Sequence, residues 1–292
     1  MVYVLIPTRN RKELLEKCID SLIKQTHKDI KIVVINDGST DGTEELLKTK
    51  YPDVRIIKGD GNLWWTGCMI KAVEYTLPQV SDNDYILLQN DDTYMEDSYV
   101  SDLVEMSEKN NRMALGTTLK DIDSNKVIYN THSFKNFLIT PYVIDTDREV
   151  VDTFTINGRG TIIPVEVFNK VGNFSKIFPH YASDYDFFCR ARKKNVKLGV
   201  CNYVYTYSTD KKDSFTKTRK NKNNPSIKEF FDIFFNRKST SNICISTLFI
   251  IKNYPIRYKI FALFRIYLYL FKYILVDIII NRIIYLKDRT QH

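Results

Sequence analysis

From Val2 to Gln89, short apolar runs alternate with amphipathic stretches, and each run stops at a polar or glycine-rich cluster. VYVLI from Val2, IKIVVIND from Ile30, VRIIKG from Val54 and YILLQ from Tyr85 read as strands rich in Val, Ile and Leu. Between the first two lies RKELLEKCIDSLIKQ. There Leu14, Leu15, Cys18, Ile19, Leu22 and Ile23 recur at helical spacing and make one apolar face. EELLKTKY and TGCMIKAVEYTL read as the next two helices. Strands separated by helices of this length require right-handed crossovers, so the pattern predicts an α/β fold with a largely parallel, doubly wound sheet. Ligands of such sheets bind beyond the C-terminal strand ends.

Four clusters occupy such ends: PTRN, NDGS, GDGNLWWTG and QNDDT. The last sets Asn90, Asp91 and Asp92 where an apolar strand reaches the surface. Adjacent carboxylates repel, and a divalent cation held by hard oxygen ligands is one way to compensate them. Taken alone, Asn-Asp-Asp equally suits a solvated turn capping the next helix. Four such loops on one sheet edge favour a binding site. Further on, residues 121–156 are polar and rich in β-formers, predicting hairpins. FTINGRGTIIPVEVFNKVG predicts a glycine-rich turn, a short strand and a helix; SDYDFFCRARKKN predicts a helix and VKLGVCNYVY a last strand.

After Tyr207 the character changes. The formal net charge is +8, yet residues 211–292 carry 17 Lys and Arg against 5 Asp and Glu. A mildly acidic body therefore bears a basic tail, which asks for an anionic partner. Residues 209–225 read as a basic linker and 226–292 as amphipathic helices. Arg265, Lys272, Asp277 and Arg282 interrupt the apolar run, leaving it too short to span a bilayer. Arg257, Arg265, Lys272, Arg282 and Arg289 fall within an arc of roughly 120°. That stripe fits a helix lying in an anionic membrane surface, or one packed on the body or on a twin in a homodimer. The five cysteines show no zinc or redox spacing and fit a reducing compartment. No signal-peptide pattern opens the chain, so the expected place is the cytoplasmic face of the cell membrane, with peripheral attachment.

Together, IPTRNR, VVINDGSTDGT, GNLWWTG, QNDDT, GRGTIIP and SDYDFFCRA resemble a family 2 glycosyltransferase of the GT-A fold, over Val2 to about Tyr207. GNLWWTG is similar to the rhamnosyltransferase-like branch. The resemblance implies a GT-A domain over residues 1–208 and an inverting transfer from a nucleotide-sugar donor, dTDP-rhamnose or a UDP-sugar. The acceptor would be lipid-linked or a growing cell-surface glycan. Pro7, Thr8 and Asn10 would line the base pocket, and Asp37 would accept the pyrimidine imide N–H. Gly61 and Gly67 would let backbone approach the donor, with Asn62, Trp65, Asn90, Asp91 and Arg159 also at the nucleotide sugar. Asp92 would hold Mg²⁺ or Mn²⁺; Asn90 replaces the first acid of the family's DXD motif and brings no charge. Asp184 would be the catalytic base. Asp186, two residues on, is expected either to be structural, in a surface salt bridge with Arg190, or to contact the acceptor. The histidine that many relatives carry after the last strand is absent from YVYTYST, and His180 is expected to pack beside Pro179.

Other classes fit less well. A nicotinamide dehydrogenase would need GxGxxG after the first strand. A sugar nucleotidyltransferase would need glycine where PTRNRKE has none. The tail's aromatics lie among aliphatics rather than on a polar basic face, which argues against nucleic acid. A catalytically silent membrane scaffold of the same fold remains the rival, and retention of Asp92 and Asp184 speaks against it.

Overall fold

The computed structural model describes residues 1–208, 227–237 and 239–280. The predicted alternation is realised as β1 (Val2–Thr8), α1 (Lys12–Ile23), β2 (Ile30–Asn36), α2 (Thr43–Lys50), β3 (Arg55–Lys58), α3 (Trp64–Thr76) and β4 (Tyr85–Leu88). Next come β5 (Tyr94–Met95), α4 (Tyr99–Lys109), β6 (Ala114–Asp121) and the short strands β7 (Val127–Tyr129), β8 (Thr131–Lys135), β9 (Leu138–Tyr142) and β10 (Val150–Asp152). The series ends with β11 (Thr161–Pro164), α5 (Val165–Val171), α6 (Ser183–Lys193) and β12 (Leu198–Ser208). The chain divides into two compact units, the first holding Met1–Lys135 and Ile139–Asp210 and the second Asn136–Leu138 and the residues from Lys211 on.

Among the described residues the main sheet is 10-stranded, with path β10-β12-β6-β11-β4-β1-β2-β3. The β1, β2, β3 and β4 neighbours pair in parallel, as do β6 and β12. β11 runs against both β4 and β6, and β10 against β12. Alternation of side chains across the pleat explains the double winding. Val2, Val4 and Ile6 face α1 and α4, with Leu15, Cys18, Ile19, Leu22, Val100 and Leu103. Tyr3 and Leu5 face α3 and α6, with Met69, Val73, Phe187 and Phe188. Each fully buried aliphatic side chain contributes about 2 kcal/mol, so both faces need their helical cover. Ile23, which the helical pattern placed on the apolar face of α1, is exposed at the helix end.

Register decides where the loops meet. Thr8 pairs with Asn36, and Asn36 with Lys58, so β1, β2 and β3 end level. β4 stops opposite Leu5, which sets residues 89–92 alongside the end of β1. Because β11 is antiparallel, its first residue Thr161 pairs with Leu88, the last of β4. Gly160 N–H donates to Leu88 O at 2.9 Å. The residues just before β11 thereby arrive at the same edge as the ends of the parallel strands.

The second unit contains α7 (Ile227–Phe234), α8 (Ile243–Asn253) and α9 (Ile256–Lys272), continued by wider turns over Tyr273–Ile280. Asn242 caps α8, its Oδ1 accepting Ile245 N–H at 2.9 Å. Pro255 precedes α9, where its fixed φ suits a helix start. Among the described residues no helix is long and apolar enough to cross a membrane. Arg257, Arg265 and Lys272 are exposed, and so are Ile256, Ile260, Phe264, Leu268 and Phe271. At 100° per residue these fall on one continuous side, so the basic stripe borders an uncovered apolar arc rather than opposing a buried one. The linker, Arg282 and Arg289 lie outside the described residues.

One buried amide ties three segments together. Gln25 Nε2 donates to Ser21 O at 3.0 Å and Glu96 O at 2.7 Å, while its Oε1 accepts Val100 N–H at 2.8 Å. Unmet buried polar groups cost about 1–3 kcal/mol each. Gln25→Ala is expected to lower the unfolding free energy by about 2–4 kcal/mol in urea titration, against under about 0.5 kcal/mol for an exposed control such as Lys24→Ala.

Candidate active site

The loops after β1, β2 and β3 are fastened to each other through backbone groups. Asp37 is buried. Its Oδ1 accepts Gly61 N–H at 2.8 Å and its Oδ2 accepts Leu63 and Trp64 N–H at 3.1 Å each. An aspartate here caps the first amides of α3, where orphan donors and the helix dipole both favour an anion. Both oxygens accept backbone donors, so Asp37 builds the Gly61–Trp64 turn. A Cβ on Gly38, which has φ +67°, would lie 2.9 Å from Gly61 Cα. The space these glycines leave is filled by loop against loop, and Gly67 likewise packs on Leu63. Arg9 donates to Gly61 O. Asn10, at φ +51°, donates its N–H to Ser39 Oγ and accepts Thr40 N–H at 2.7 Å, stapling the first loop to the second. Pro7 is half-buried, Thr8 is buried against Asp91, and Asn62 is exposed, its N–H donating to Asp60.

Beyond β4 stands the acidic turn. Arg11, from the loop after β1, places Nη1 3.0 Å from Asp91 Oδ1 and 3.4 Å from Asp92 Oδ2. Burial pushes the Asp91 carboxyl up to about 6, against the opposing pull of Arg11 and with Asp92 adding to the rise. Asp92 Oδ1 is buried and has no hydrogen-bond partner. An orphan carboxylate oxygen beside a second carboxylate is what a hard divalent cation requires, so Asp91 and Asp92 fit such an ion. Among the described residues no group of three His, Cys, Asp or Glu gathers to hold a metal.

Asn90 links this turn to the other side of the edge. Its Oδ1 accepts Trp65 Nε1–H at 3.2 Å. The Trp65 ring packs against Gly158, where a Cβ would come within 2.2 Å of Trp65 Cζ2. Gly158 N–H donates to Asp184 Oδ2 at 2.8 Å, and Tyr185 N–H donates to Asp184 Oδ1 at 2.9 Å. Burial raises the Asp184 pKa above its ordinary value, with the two backbone N–H groups and the positive charge of Arg159 pulling it back. The sequence Asn90–Trp65–Gly158–Asp184 thus joins the acidic turn to the start of α6 by direct contacts. Arg159 sits on the same loop, with Asn157 Oδ1 accepting its N–H and Asn157 Nδ2 donating to Tyr129 Oη at 2.8 Å.

Three non-glycine residues of this edge hold a left-handed backbone: Asn10, Trp64 at φ +57° and Ala182 at φ +68°. Such residues cost about 1–3 kcal/mol and persist where surrounding contacts over-determine them. Ala182 immediately precedes α6 and aims its first turn, which carries Asp184.

The expected pair of Asp186 with Arg190 forms, but inside the protein rather than on its surface. The two lie 2.9 Å apart, and the Asp186 side chain is 0% exposed. Arg190 also donates to Val171 O and Asn173 O. This is an internal strut that ties α6 to the residues following α5, and it leaves Asp184 as the carboxylate of that helix facing the edge loops. His180 packs edge-on against Trp64 at 5.6 Å and Tyr181 at 4.5 Å. Sequence reasoning assigned no role to Arg11, Asn157 or Tyr129. Only Arg11 left a signal, as a cation in the same set of strand-end loops as the Asp pair.

The "Glycosyl transferase family 2" profile matches residues 3–172. An uncharacterized glycosyltransferase of Rickettsia bellii is 27% identical over 191 residues, 64% of this chain and 26% of that protein. Glycosyltransferase GlyA of Streptococcus pneumoniae is 34% identical over 103 residues, 35% of this chain and 14% of that protein. The chain therefore matches about a quarter or less of the length of these curated relatives. Among solved structures, S. aureus TarS 1-349 in complex with UDP-GlcNAc aligns with TM-score 0.59 at 16% identity, covering 91% of this chain and 71% of that one. GalNAc-T7 with UDP, GalNAc and Mn²⁺ aligns with TM-score 0.58 at 14% identity, covering 73% and 44%. These likenesses show a GT-A-like fold: a mostly parallel central sheet with flanking helices.

Burial of Asp91 makes its charge costly. A carboxyl whose folded pKa is raised binds its proton more tightly in the folded state, so its contribution favours folding below the unfolded pKa near 4. That contribution is lost as pH rises toward about 6. Asp91→Asn is expected to be more stable than the parent at pH 7.5 by about 1–3 kcal/mol and to lose that advantage at pH 4. Thermal melts of both proteins at the two pH values measure it.

Proposed function

As the chain belongs to glycosyl transferase family 2, we propose that it is an inverting, metal-assisted glycosyltransferase using a pyrimidine nucleoside-diphosphate sugar. The acceptor in this reading is a lipid-linked or growing cell-surface glycan. The observation that carries the proposal is the contact series from Asn90 through Trp65 and Gly158 to Asp184. It supports reading the acidic turn as the phosphate-facing end, and Asp184 as the proton-accepting end, of one site.

In this reading the nucleotide lies across the ends of β1 and β2, where Pro7, Thr8 and Asn10 line the base and the Gly61–Trp64 turn held by Asp37 closes over the ribose. Asn62 is exposed there, and Asn90 offers its amide to a sugar or ribose hydroxyl. Asp92, with Asp91 beside it, would hold Mg²⁺ or Mn²⁺, and the ion would offset the charge that builds on the departing diphosphate. Arg159, tethered between Gly158 and Gly160, supplies a positive charge for phosphate or acceptor. Asp184 faces the acceptor. As the acceptor oxygen bonds to the anomeric carbon, the carbon–oxygen bond to the diphosphate breaks, and the hydroxyl proton passes to Asp184. Attack from the face opposite the leaving group inverts the anomeric centre. Two backbone donors fix the Asp184 carboxylate in place, and its raised pKa brings its basicity closer to neutral pH.

Two supports bear on the donor. The solved neighbours include complexes with UDP and UDP-GlcNAc, which favours uridine; GNLWWTG favours dTDP-rhamnose. Both share the pyrimidine ring. The cell-surface acceptor is supported by relatives named hyaluronan synthase and chondroitin synthase, each 33% identical over 92 residues. The exposed arc of α9, apolar and basic together, supports peripheral attachment to the anionic cytoplasmic face of a membrane.

Asp184→Asn is expected to keep UDP or dTDP binding by calorimetry and to lose transfer by about 100-fold or more in a panel of UDP- and dTDP-sugars. Transfer at the parental rate would remove Asp184 as the base. The acid limb of the parent's pH–rate profile is expected above the ordinary Asp range. For the tail, Arg257→Glu, Arg265→Glu and Lys272→Glu together are expected to release the protein from vesicles containing anionic lipid in a flotation assay. Undiminished flotation would contradict the membrane reading.

A further inference from the structure

Arg11 is the cation that meets the acidic turn. It leaves the loop after β1 and inserts its guanidinium between the two carboxylates that a divalent ion would use. Among the described residues its guanidinium contacts only those two acids. The side-chain exposures differ in a telling way: Arg11 51%, Asp91 5%, Asp92 29%. Asp91 is almost sealed and is the nearer partner, whereas Asp92 is more open and farther. Asp92 also divides its oxygens, with Oδ2 toward Arg11 and Oδ1 buried without a partner.

Electrostatics then fixes what happens when an ion arrives. Two adjacent carboxylates and one guanidinium leave a single negative charge. A dication on Asp92 and a guanidinium a few ångströms from it repel, by an amount that grows steeply as the local dielectric falls. Arg11 is exposed on one side and carries a long flexible stem, so it can withdraw from Asp92. Asp91 is the nearer partner, at 3.0 Å, and its side chain is 5% exposed, so water replaces Arg11 there less readily than at Asp92.

We propose that Arg11 is an internal counter-cation that holds the acidic turn together in the empty protein and competes with the divalent ion for Asp92. Arg11 keeps Asp91 after the ion binds. The free protein therefore binds the ion weakly, and a ligand that brings phosphate oxygens with the ion tips the exchange. Ion and donor then load together rather than in sequence. This rests on the transferase reading above for what the ion serves, but the competition itself is a property of the three side chains.

The test is binding of Mn²⁺ alone, read as free Mn²⁺ by electron paramagnetic resonance. Arg11→Gln removes the competitor and is expected to bind Mn²⁺ about tenfold or more tightly than the parent. Arg11→Lys, which keeps a charge, is expected to stay within about threefold of it. The chain's two tryptophans both lie in the GNLWWTG turn, and Trp65 bonds to Asn90, so tryptophan fluorescence gives a second readout at the site. Adding Asp92→Asn to Arg11→Gln is expected to abolish the gain. Mn²⁺ affinity in Arg11→Gln equal to or weaker than the parent's overturns the proposal, as does a gain that survives Asp92→Asn. Thermal melts confirm that each variant is folded, with Arg11→Lys as the second probe should Arg11→Gln fail to fold: parental Mn²⁺ affinity there upholds the proposal, and a tenfold gain overturns it. A parallel titration with Mn²⁺ and UDP keeps the two readings apart. A parent that binds UDP while Arg11→Gln shows no gain loses only the counter-cation, whereas a parent that binds no nucleoside diphosphate loses the transferase reading.

Discussion

Two carboxylates side by side at the mouth of a buried strand must be neutralised, and much of this unit is arranged around that need. β4 is flanked on both sides and covered on both faces, so its end cannot spread its charge into water. Asp91 is consequently nearly sealed and Asp92 partly so. The sheet answers with a cation from the neighbouring strand's loop, which register has brought level with the turn. Strand order and register place Arg11 beside Asp91 and Asp92. An ordinary parallel sheet thereby acquires an electrostatic focus at one edge, at the point where the order 3-2-1-4 reverses.

Precise placement at that edge depends on backbone lying against backbone. Gly38 meets Gly61, Gly158 meets the Trp65 ring, and Asp37 clamps the amides that start α3. None of these contacts tolerates an added Cβ without movement. Trp65 is the piece that spans the gap, hydrogen-bonded to Asn90 on one side and packed on Gly158 on the other. The antiparallel entry of β11 makes this possible, since a parallel strand would have carried the Gly158 loop to the opposite edge. The left-handed backbone at Trp64 is held by the same clamp, its N–H donating to Asp37.

Much of the fold was legible in the sequence because strand and helix periods are local. VYVLI, IKIVVIND and YILLQ could be read directly, and the sheet is mostly parallel as expected. Antiparallel β11 and β10 could not be read, since direction depends on partners far away in the chain. The loops of the candidate site were recognisable as a set, yet the chemistry within them was not. Arg11 and the Asp pair are separated by about eighty residues, and no local pattern reports such a contact. That Asp37 also caps α3 could not be read, because it depends on the helix starting at Trp64, earlier than the apolar pattern suggested. The pairing of Asp186 with Arg190 followed from helical spacing. Its burial did not, because that required knowing that the residues after α5 cover this face of α6. On the tail, the basic stripe was visible as an angular pattern, but its border with an uncovered apolar arc emerged only from the packing.

The central claim is that the loops after β1, β2, β3 and β4 and the loop before β11 surround one ligand. Amide hydrogen exchange of the full chain, with and without UDP and Mn²⁺, tests this most directly. The account predicts simultaneous protection of residues 8–12, 37–41, 59–65, 89–93 and 157–160 on adding both. Protection confined to one of these loops, or falling elsewhere while they exchange unchanged, would contradict it.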